Sequence, residues 1–420
     1  MKSISELLND SKTSFQAVKE AEAILQENGF MRLYENEDYA LSAGGKYYVT
    51  RNDSALIAFV TASAKQMGYR IVASHTDSPC FKVKFGKNPV SAGCATAYVE
   101  QYGGGLRYTW FDRPLKLCGR LCGEKDGRFV SVFYESEKRF VIPSLAIHYN
   151  RSANDGIPFN VQTDCQPLYA LDTDAEALKK DLIDAFGGGK LLDCDLYLVC
   201  DETPFTAGRN DEFLCAPRVD NLTSCFSSVQ ALIDCKPHEN NTVVAYLADN
   251  EEIGSRTKQG AGSTFLFDTL KRINEKVSDL SLEINLKNTF LVSCDNAHAT
   301  HPCHASLADG SNEVTLGSGI VIKHHGNMNY MTDAVSSSLF KMILNSADVP
   351  YSDFYMRSDL PCGGTLGAIS SSQVSVISVD IGIAQLAMHS AVETFAIKDY
   401  YSMVKGLTAF YSSALLPTNY

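Results

Sequence analysis

The chain has 420 residues and a mass of 45.9 kDa, which is more than one ordinary domain and suggests two or three. It carries 37 basic and 49 acidic residues, for a net charge of −12. This balance argues against a protein that binds nucleic-acid phosphates, because such binding needs clustered positive charge. Hydrophobic residues make up 45% of the chain, which is enough for a large core.

The thirteen cysteines are scattered through apolar segments, and no C-x-x-C motif occurs. A secreted disulfide framework is usually short and closely spaced, so we expect reduced thiols in a cytoplasmic protein. The first residues, "MKSISELLND", place acidic side chains where a signal peptide has its apolar run. No apolar run reaches 18 residues, so we expect no membrane span.

The first predicted elements are a helix and two strands. Apolar residues recur at helical spacing after a capping Thr13 or Ser14, and Gly29 ends the helix. The runs "SALIAFVTA" and "GYRIVASHTDSP" are rich in Val and Ile and predict buried strands. The second run ends at His75 and Asp77.

The residue pattern of the sequence changes after about residue 82. Short alternating stretches with glycines and prolines predict a β-rich domain over residues 83–212. One helix, from Asp172 to Phe186, interrupts it. We therefore expect a catalytic domain made of residues 1–82 and 213–420, with the β-rich domain inserted into it.

Beyond residue 213, strands alternate with helices. The segments "NTVVAYLADNEEIGS", "NTFLVSCDNAHA" and "GSGIVIKHH" each predict a buried strand that runs into a polar loop. A helix is expected from Asp220 towards Cys235. This alternation predicts an α/β fold with a mixed, mostly parallel sheet flanked by helices.

Polar residues cluster where the predicted strands end. In an open α/β sheet, ligands bind beyond the carboxyl ends of the strands. Imidazole and carboxylate groups suit a pair of zinc or similar ions, and one carboxylate can bridge two metals. A hydrolytic site also needs a carboxylate that is free to move protons. The candidate residues are His75, Asp77, Asp220, Glu251, Glu252, Asp295 and His389.

Each of these signals is weak alone, since a Glu-Glu pair in a polar loop is usually a solvated charge pair. Other catalytic motifs are missing, including the G-x-S-x-G nucleophile elbow and the phosphate-binding P-loop. The glycine triplet at residues 103–105 lies in the β-rich region without a following helix, so we do not expect it to bind phosphate.

Together, the motifs resemble a known family. The ordered segments "SHTDSP", "RVDNLTSC", "DNEEIGS", "CDNAHATHP" and "LAMHSAVET" resemble the aspartyl aminopeptidases, which are dinuclear zinc metallopeptidases. "YGGGLRYTWFDRPLKLCGR" and "IPSLAIHYNR" are similar to that family's dimerisation domain, and "RSDLPCGGTLG" to its substrate-pocket loop. The resemblance extends from about residue 10 to 410 and implies a zinc exopeptidase-like fold.

The resemblance implies two divalent metal ions, with zinc favoured and cobalt or manganese as alternatives. His75, Asp220 and Asp295 would bind one ion. Asp220, Glu252 and His389 would bind the other, so that Asp220 bridges the two.

The remaining roles also follow from the resemblance. Glu251 would be the general base and would later protonate the leaving amine, while Asp77 would orient His75. The substrates would be peptides with a free N-terminus. His148 would reach a neighbouring subunit's active site and help to hold the tetrahedral intermediate. Dimers would assemble into a dodecameric shell, without nucleic-acid or membrane partners.

The preferred N-terminal residue stays open. Acid-preferring members of the family carry a basic residue in the loop after the strand "GIVIKHH", but residues 326–330 contain neither Lys nor Arg. Lys323, His324, His325 and His298 are the candidate substitutes for binding an acidic side chain. Acidic and neutral first residues therefore both remain possible.

Two other functions remain as alternatives. One is a related dinuclear carboxypeptidase or N-acyl amino acid deacylase on the same fold. The other is a non-catalytic, shell-forming homologue that has lost its activity.

Overall fold

The computed structural model describes residues 2–156, 158–171 and 174–414. The helices are Ile4–Asp10 (α1), Ser14–Glu27 (α2), Val161–Asp164 (α3), Ala177–Phe186 (α4), Val219–Asp234 (α5), Phe265–Val277 (α6), Leu282–Lys287 (α7), Ala334–Ser346 (α8), Leu366–Gln373 (α9) and Ile397–Ser412 (α10).

The strands alternate with these helices in the N-terminal and C-terminal parts of the chain and dominate between them. The first strands are Met31–Leu33 (β1), Lys46–Arg51 (β2), Ala55–Val60 (β3), Gly68–His75 (β4), Cys80–Val83 (β5), Val90–Ser91 (β6), Cys94–Thr96 (β7), Val99–Tyr102 (β8), Leu115–Lys125 (β9), Arg128–Glu135 (β10) and Leu168–Ala170 (β11). The later strands are Lys190–Cys200 (β12), Phe205–Ala207 (β13), Phe213–Ala216 (β14), Asn241–Ala248 (β15), Phe290–Cys294 (β16), Ala297–His298 (β17), Ile320–His324 (β18), Tyr351–Tyr355 (β19), Ile377–Leu386 (β20) and Glu393–Ala396 (β21).

The predicted α/β fold is confirmed. A large mixed sheet runs in the order β1-β2-β3-β15-β4-β16-β20-β21-β14-β13, while β17 and β18 pair with β20 and β19 pairs with β18. Its centre, β15-β4-β16-β20, is parallel. Strand β3 pairs antiparallel with β2 and β15, and β21 pairs antiparallel with β20 and β14. The parallel centre places the carboxyl ends of β4, β15 and β16 at one edge.

Apolar side chains bury both faces of this sheet. Along β4, Val72 packs into one hydrophobic cluster, while Ile71 and Ala73 pack into another on the opposite face. This alternation follows from the two-residue period of a strand. Helices α1, α2, α5, α8 and α10 contribute to the first cluster, and α6, α7 and α9 to the second.

The β-rich region forms two further sheets. One has the strand order β10-β9-β12-β5-β8, and the other has β11-β7-β6. All of these strands lie between Cys80 and Cys200, and this region has a separate apolar cluster that includes Trp110 and Leu196. Strand β13 lies within the range expected for the insertion, but it pairs with β14 in the large sheet.

The predicted helices and strands are found with shifted ends. Helix α2 begins after Thr13 and ends before Gly29, and α5 covers the segment expected from Asp220. The helix predicted to start at Asp172 begins instead at Ala177, and Asp172 itself lies outside the described residues. Within the described ranges, no helix is both long and apolar enough to cross a membrane.

Candidate active site

The predicted site residues lie at the carboxyl ends of the central strands. His75 is the last residue of β4 and pairs in register with Ala248, the last residue of β15. Glu251 and Glu252 follow in a short 3-10 helix, and Asp295 comes directly after β16. Together with Asp220 and His389, these side chains line a pocket of about 450 Å³.

One group of potential metal ligands consists of His75, Asp220 and Asp295. The Nε2 atom of His75 lies 3.5 Å from Oδ1 of Asp220 and 3.5 Å from Oδ1 of Asp295. All three residues are buried. Their nitrogen and oxygen atoms lie close enough together to share one ion.

A second group consists of Asp220, Glu252 and His389. The Nε2 atom of His389 lies 3.6 Å from Oδ2 of Asp220 and 3.3 Å from Oε1 of Glu252. Asp220 therefore directs one carboxylate oxygen towards each imidazole. This is the arrangement expected of a carboxylate that bridges two ions.

The donor atoms of the pocket fit metal ions. Asp220 Oδ1 and Glu252 Oε1 are buried and have no hydrogen-bond partner among the residues that the structure describes. Burying a carboxylate oxygen without a partner is costly, unless a cation neutralises it. Burial opposes protonation of His389, but the Asp220 and Glu252 carboxylates raise the pKa of His389 to about 11. The pocket thus attracts positive charge, and imidazole and carboxylate are ordinary zinc ligands.

Glu251 lines the same pocket beside both groups. Its carboxylate lies close to His75 and Glu252. Burial raises the pKa of Glu251 to about 8. A carboxylate in such an environment holds a proton more readily than a solvated one, which suits a group that accepts and returns protons.

Asp77 contacts His75 and accepts hydrogen bonds from the segment that carries Glu251 and Glu252. The backbone oxygen of Asp77 lies 3.1 Å from Nδ1 of His75, closer than its carboxylate at 3.5 Å. The Asp77 carboxylate accepts the backbone N–H groups of Glu251 (3.0 Å) and Glu252 (3.2 Å). It also accepts the Tyr102 hydroxyl at 2.8 Å. Asp77 therefore holds the Glu-Glu pair as well as His75.

Two of the four candidates for binding an acidic side chain line the pocket. His298 and Lys323 do so, whereas His324 and His325 line a neighbouring cavity. The Lys323 side chain is buried, and its Nζ donates to the backbone oxygen of Asn296 at 3.3 Å. Lys323 Nζ also lies 5.0 Å from the centre of the Tyr330 ring.

His148 does not line the pocket of its own chain. It lies in an exposed segment that includes exposed Leu145, Ile147 and Tyr149. Its role in a neighbouring site therefore stays a prediction.

Three features that contact the candidate metal ligands were not predicted from the sequence. The backbone oxygen of Gly104 lies 3.2 Å from Nδ1 of His389, where it can fix the orientation of the ring. At Gly103, which has φ +72°, an added Cβ would approach Cβ of Glu252 to 3.0 Å. The third feature is Glu393, which accepts the backbone N–H groups of Asp220 and His389. The "YGGG" run and the acid in "HSAVET" were the available signals.

A sequence profile described as aminopeptidase I zinc metalloprotease (M18) matches residues 7–411. The chain belongs to the M18 aminopeptidase family. It is 40% identical over 421 residues to the "Probable M18 family aminopeptidase 2" of Stutzerimonas stutzeri, an alignment that covers 98% of this chain and 97% of that protein. The predicted family and zinc-dependent aminopeptidase activity are thereby confirmed, and the carboxypeptidase, deacylase and non-catalytic alternatives are not favoured.

Solved structures agree with this M18 assignment. The chain is similar to one in the cryo-EM structure of the Ape4 and Nbr1 complex, with a TM-score of 0.89 and 34% identity over 97% of this chain and 84% of that one. It is also similar to the S. cerevisiae mApe1 dodecamer, with a TM-score of 0.83 and 26% identity over 97% and 95% of the two chains.

Proposed function

We propose that this M18 aminopeptidase binds two zinc ions through the two residue groups of its pocket. Asp220 would bridge the ions, His75 and Asp295 would complete one ligand set, and Glu252 and His389 would complete the other. The observation that carries this assignment is the Asp220 carboxylate, which turns one oxygen to each imidazole. The buried, unpartnered oxygens of Asp220 and Glu252 support it.

Zinc held by these residues would act as a Lewis acid on the scissile carbonyl and would lower the pKa of water. The protein supplies the proton transfer. Glu251 takes a proton from the attacking water and returns it to the leaving amine. Its position beside both ligand groups, with its backbone N–H held by Asp77, supports this role.

We also propose that the enzyme prefers acidic N-terminal residues. Lys323 supports this preference, because its buried ammonium lines the pocket and, among the described residues, forms no ion pair with a carboxylate. A substrate Asp or Glu side chain would supply the missing negative charge. His298, which lines the same pocket, is placed to assist as a donor.

The oligomer belongs to the same proposal. Residues 83–212 would form the dimerisation domain, and the strands of its two sheets lie between Cys80 and Cys200. The exposed apolar side chains of Leu145 and Ile147 come shortly before His148 in the chain and would be covered by a partner. Dimers would then assemble into a dodecamer, which is the oligomer of the similar S. cerevisiae mApe1 structure. All thirteen cysteines are free thiols, which supports a cytoplasmic location.

The variant Glu251→Gln tests the proposed mechanism. It keeps the size of the side chain but removes the base, so kcat should fall at least about 100-fold. Its zinc content, measured by elemental analysis, should stay at two ions per chain. Turnover by Glu251→Gln at the wild-type rate would contradict the assignment.

The neighbouring Glu252→Gln is the matched comparison. It makes the same chemical change one residue along the chain, at a proposed ligand. We expect Glu252→Gln to lose zinc as well as activity. Loss of activity with zinc retained thus identifies the base, whereas loss of both activity and zinc identifies a metal ligand.

A further inference from the structure

Glu393 is a buried carboxylate that contacts two of the proposed metal ligands through their backbones. It is the first residue of β21 and is 1% exposed. Its Oε2 accepts the N–H of Asp220 at 3.0 Å, and its Oε1 accepts the N–H of His389 at 2.7 Å. Asp220 and His389 are 169 residues apart in sequence, so this one side chain fixes their separation.

The bonds of Glu393 are made to neutral donors. Among the described residues, it forms no ion pair with a Lys, Arg or His side chain. Its Oε1 accepts a third bond from Nε2 of Gln385 at 3.2 Å. A buried carboxylate or N–H group without a hydrogen-bond partner costs free energy. Loss of the Glu393 carboxylate would therefore leave these buried N–H groups without an acceptor.

Gln385 extends the contact to a third part of the site. Its Oε1 accepts from Nδ2 of Asn296 at 2.8 Å, and Asn296 directly follows the ligand Asp295. The same Nδ2 donates to the backbone oxygen of Val219, next to Asp220. The network therefore joins the segments that carry Asp220, Asp295 and His389.

We propose that Glu393 is a positioning residue that sets the geometry of the zinc ion bound by Asp220, Glu252 and His389. It acts on two of that ion's three ligands, whereas Asp77 holds the backbone of the third, Glu252. The two buried carboxylates thus hold the backbones of all three ligands of this ion. This role rests on the proposed ligand assignment.

Glu393→Gln is the informative substitution. An amide has one acceptor oxygen and one NH₂ group, so it cannot replace the two carboxylate oxygens that together accept three N–H groups here. The oxygen is expected to face His389 and Gln385, which supply two donors. The NH₂ group would then face the N–H of Asp220, and because both groups are donors, the hydrogen bond that holds the backbone of Asp220 would be lost.

Zinc titration of the chelator-treated protein, followed by calorimetry, measures the effect. We expect two binding events in the wild type and a loss of about 10–100-fold in the affinity of at least one event in Glu393→Gln. Both events at wild-type affinity in Glu393→Gln would overturn the proposal. A wild type with fewer than two events would instead contradict the ligand assignment on which the proposal rests.

Asp399→Asn is the matched control. Asp399 is also a buried carboxylate, and it accepts the backbone N–H groups of Gly317 and Gly319 at 2.6 and 2.8 Å, away from the pocket. This variant should lose thermal stability but keep both zinc affinities. An equal loss of zinc affinity in Asp399→Asn would overturn the positioning role, because general destabilisation would then explain both.

Gln385→Met keeps the proposal testable if Glu393→Gln does not fold. It removes the third bond to Glu393 without changing the charge. We expect a smaller loss, about 3–10-fold, in the same zinc event. Unchanged zinc affinity in a folded Gln385→Met would count against the network.

Discussion

At the scale of single residues, Lys323 shows how the fold determines chemistry that the sequence leaves open. It lies in β18, a strand whose first four residues are buried, and its ammonium reaches the pocket beside the metal ligands. Its neighbour His324 instead pairs with Asp353 at 2.8 Å and stacks on Tyr355. Adjacent residues of a strand point to opposite sides, so only alternate residues can serve one pocket.

Lys323→Met should change substrate preference. The variant keeps the length of the side chain but removes the charge that would meet a substrate carboxylate. We expect kcat/KM for peptides with N-terminal Asp or Glu to fall about 10–100-fold, because a buried hydrogen bond to a charged group is lost. Peptides that begin with Ala should change much less, so a panel of N-terminal residues is the appropriate measurement.

Lys341→Met provides the control for this prediction. Lys341 pairs with Asp353 at 2.8 Å and does not line the active-site pocket. Its removal should leave the ratio of acidic to neutral turnover unchanged. An equal loss on acidic and neutral peptides in Lys323→Met would contradict a specificity role.

The metal ligands could be predicted because each is a His, Asp or Glu that follows an apolar run. His75 and Asp295 are of this kind. Lys323 could be named but not oriented, because a sequence does not show which face of a strand meets the pocket. Glu393 could not be placed, because its bonds to Asp220 and His389 go to backbone groups, which have no sequence signature.

At the scale of elements, a buried ion pair joins the β-rich region to the N-terminal helix. Lys12, just after α1, lies 2.9 Å from Asp201, just after β12, and both side chains are about 5% exposed. Arg218 reinforces the joint by donating to the backbone oxygens of Leu8 and Ser11 at the end of α1. These contacts position α1 against the segment that leads to Asp220.

Asp201→Asn should lower the free energy of unfolding, because it removes the ion pair with Lys12. Removing one partner of a buried pair leaves an uncompensated charge on Lys12, which costs about 3 kcal/mol. Burial opposes ionisation of Asp201, but Lys12 and Arg139 hold the pKa of its carboxyl below the ordinary value of 3.8. Its contribution is therefore present above about pH 4 and is lost as the pH falls through the lowered pKa.

Urea denaturation of wild type and Asp201→Asn at a series of pH values measures this contribution. The difference in unfolding free energy should be largest near neutral pH and should shrink below about pH 4. Asp279→Asn is the control, since Asp279 is exposed and lies 3.9 Å from Lys65. A difference that does not depend on pH would contradict an electrostatic origin.

Long apolar strands were predictable, but short elements were not. β4 and β15 are eight-residue runs in which every residue is buried. Helix α1 has only seven residues, too few for a clear apolar period, although Ser3 and Glu6 form a capping box that is visible in the sequence. Strand β1 has three residues and depends on pairing with β2, which a local pattern does not reveal.

At the scale of the whole molecule, the active site of one chain lacks the predicted contribution of His148. The segment around it is exposed, and Tyr149 beside it is 83% exposed. Large exposed apolar side chains next to a polar residue are typical of a surface that a partner covers. In a two-fold dimer each chain would give His148 to the other, so every site would combine two chains.

Complementation between two inactive variants tests this arrangement. His148→Ala should lower activity because the shared donor is lost, and Glu251→Gln because the base is lost. In a mixed dimer, the site of the His148→Ala chain has its own Glu251 and receives His148 from the partner. Random pairing of equal amounts should therefore restore about one quarter of the wild-type sites, since half of the dimers are mixed and each has one intact site.

The measurement is peptidase activity after the two variants are dissociated, mixed and reassociated. Each variant treated alone in the same way is the control and should stay inactive. A mixture that gains no activity, although mass spectrometry shows mixed dimers, would place His148 outside the neighbouring site. Recovery near one quarter would show that the catalytic unit is the dimer, because neither chain brings both groups to its own pocket.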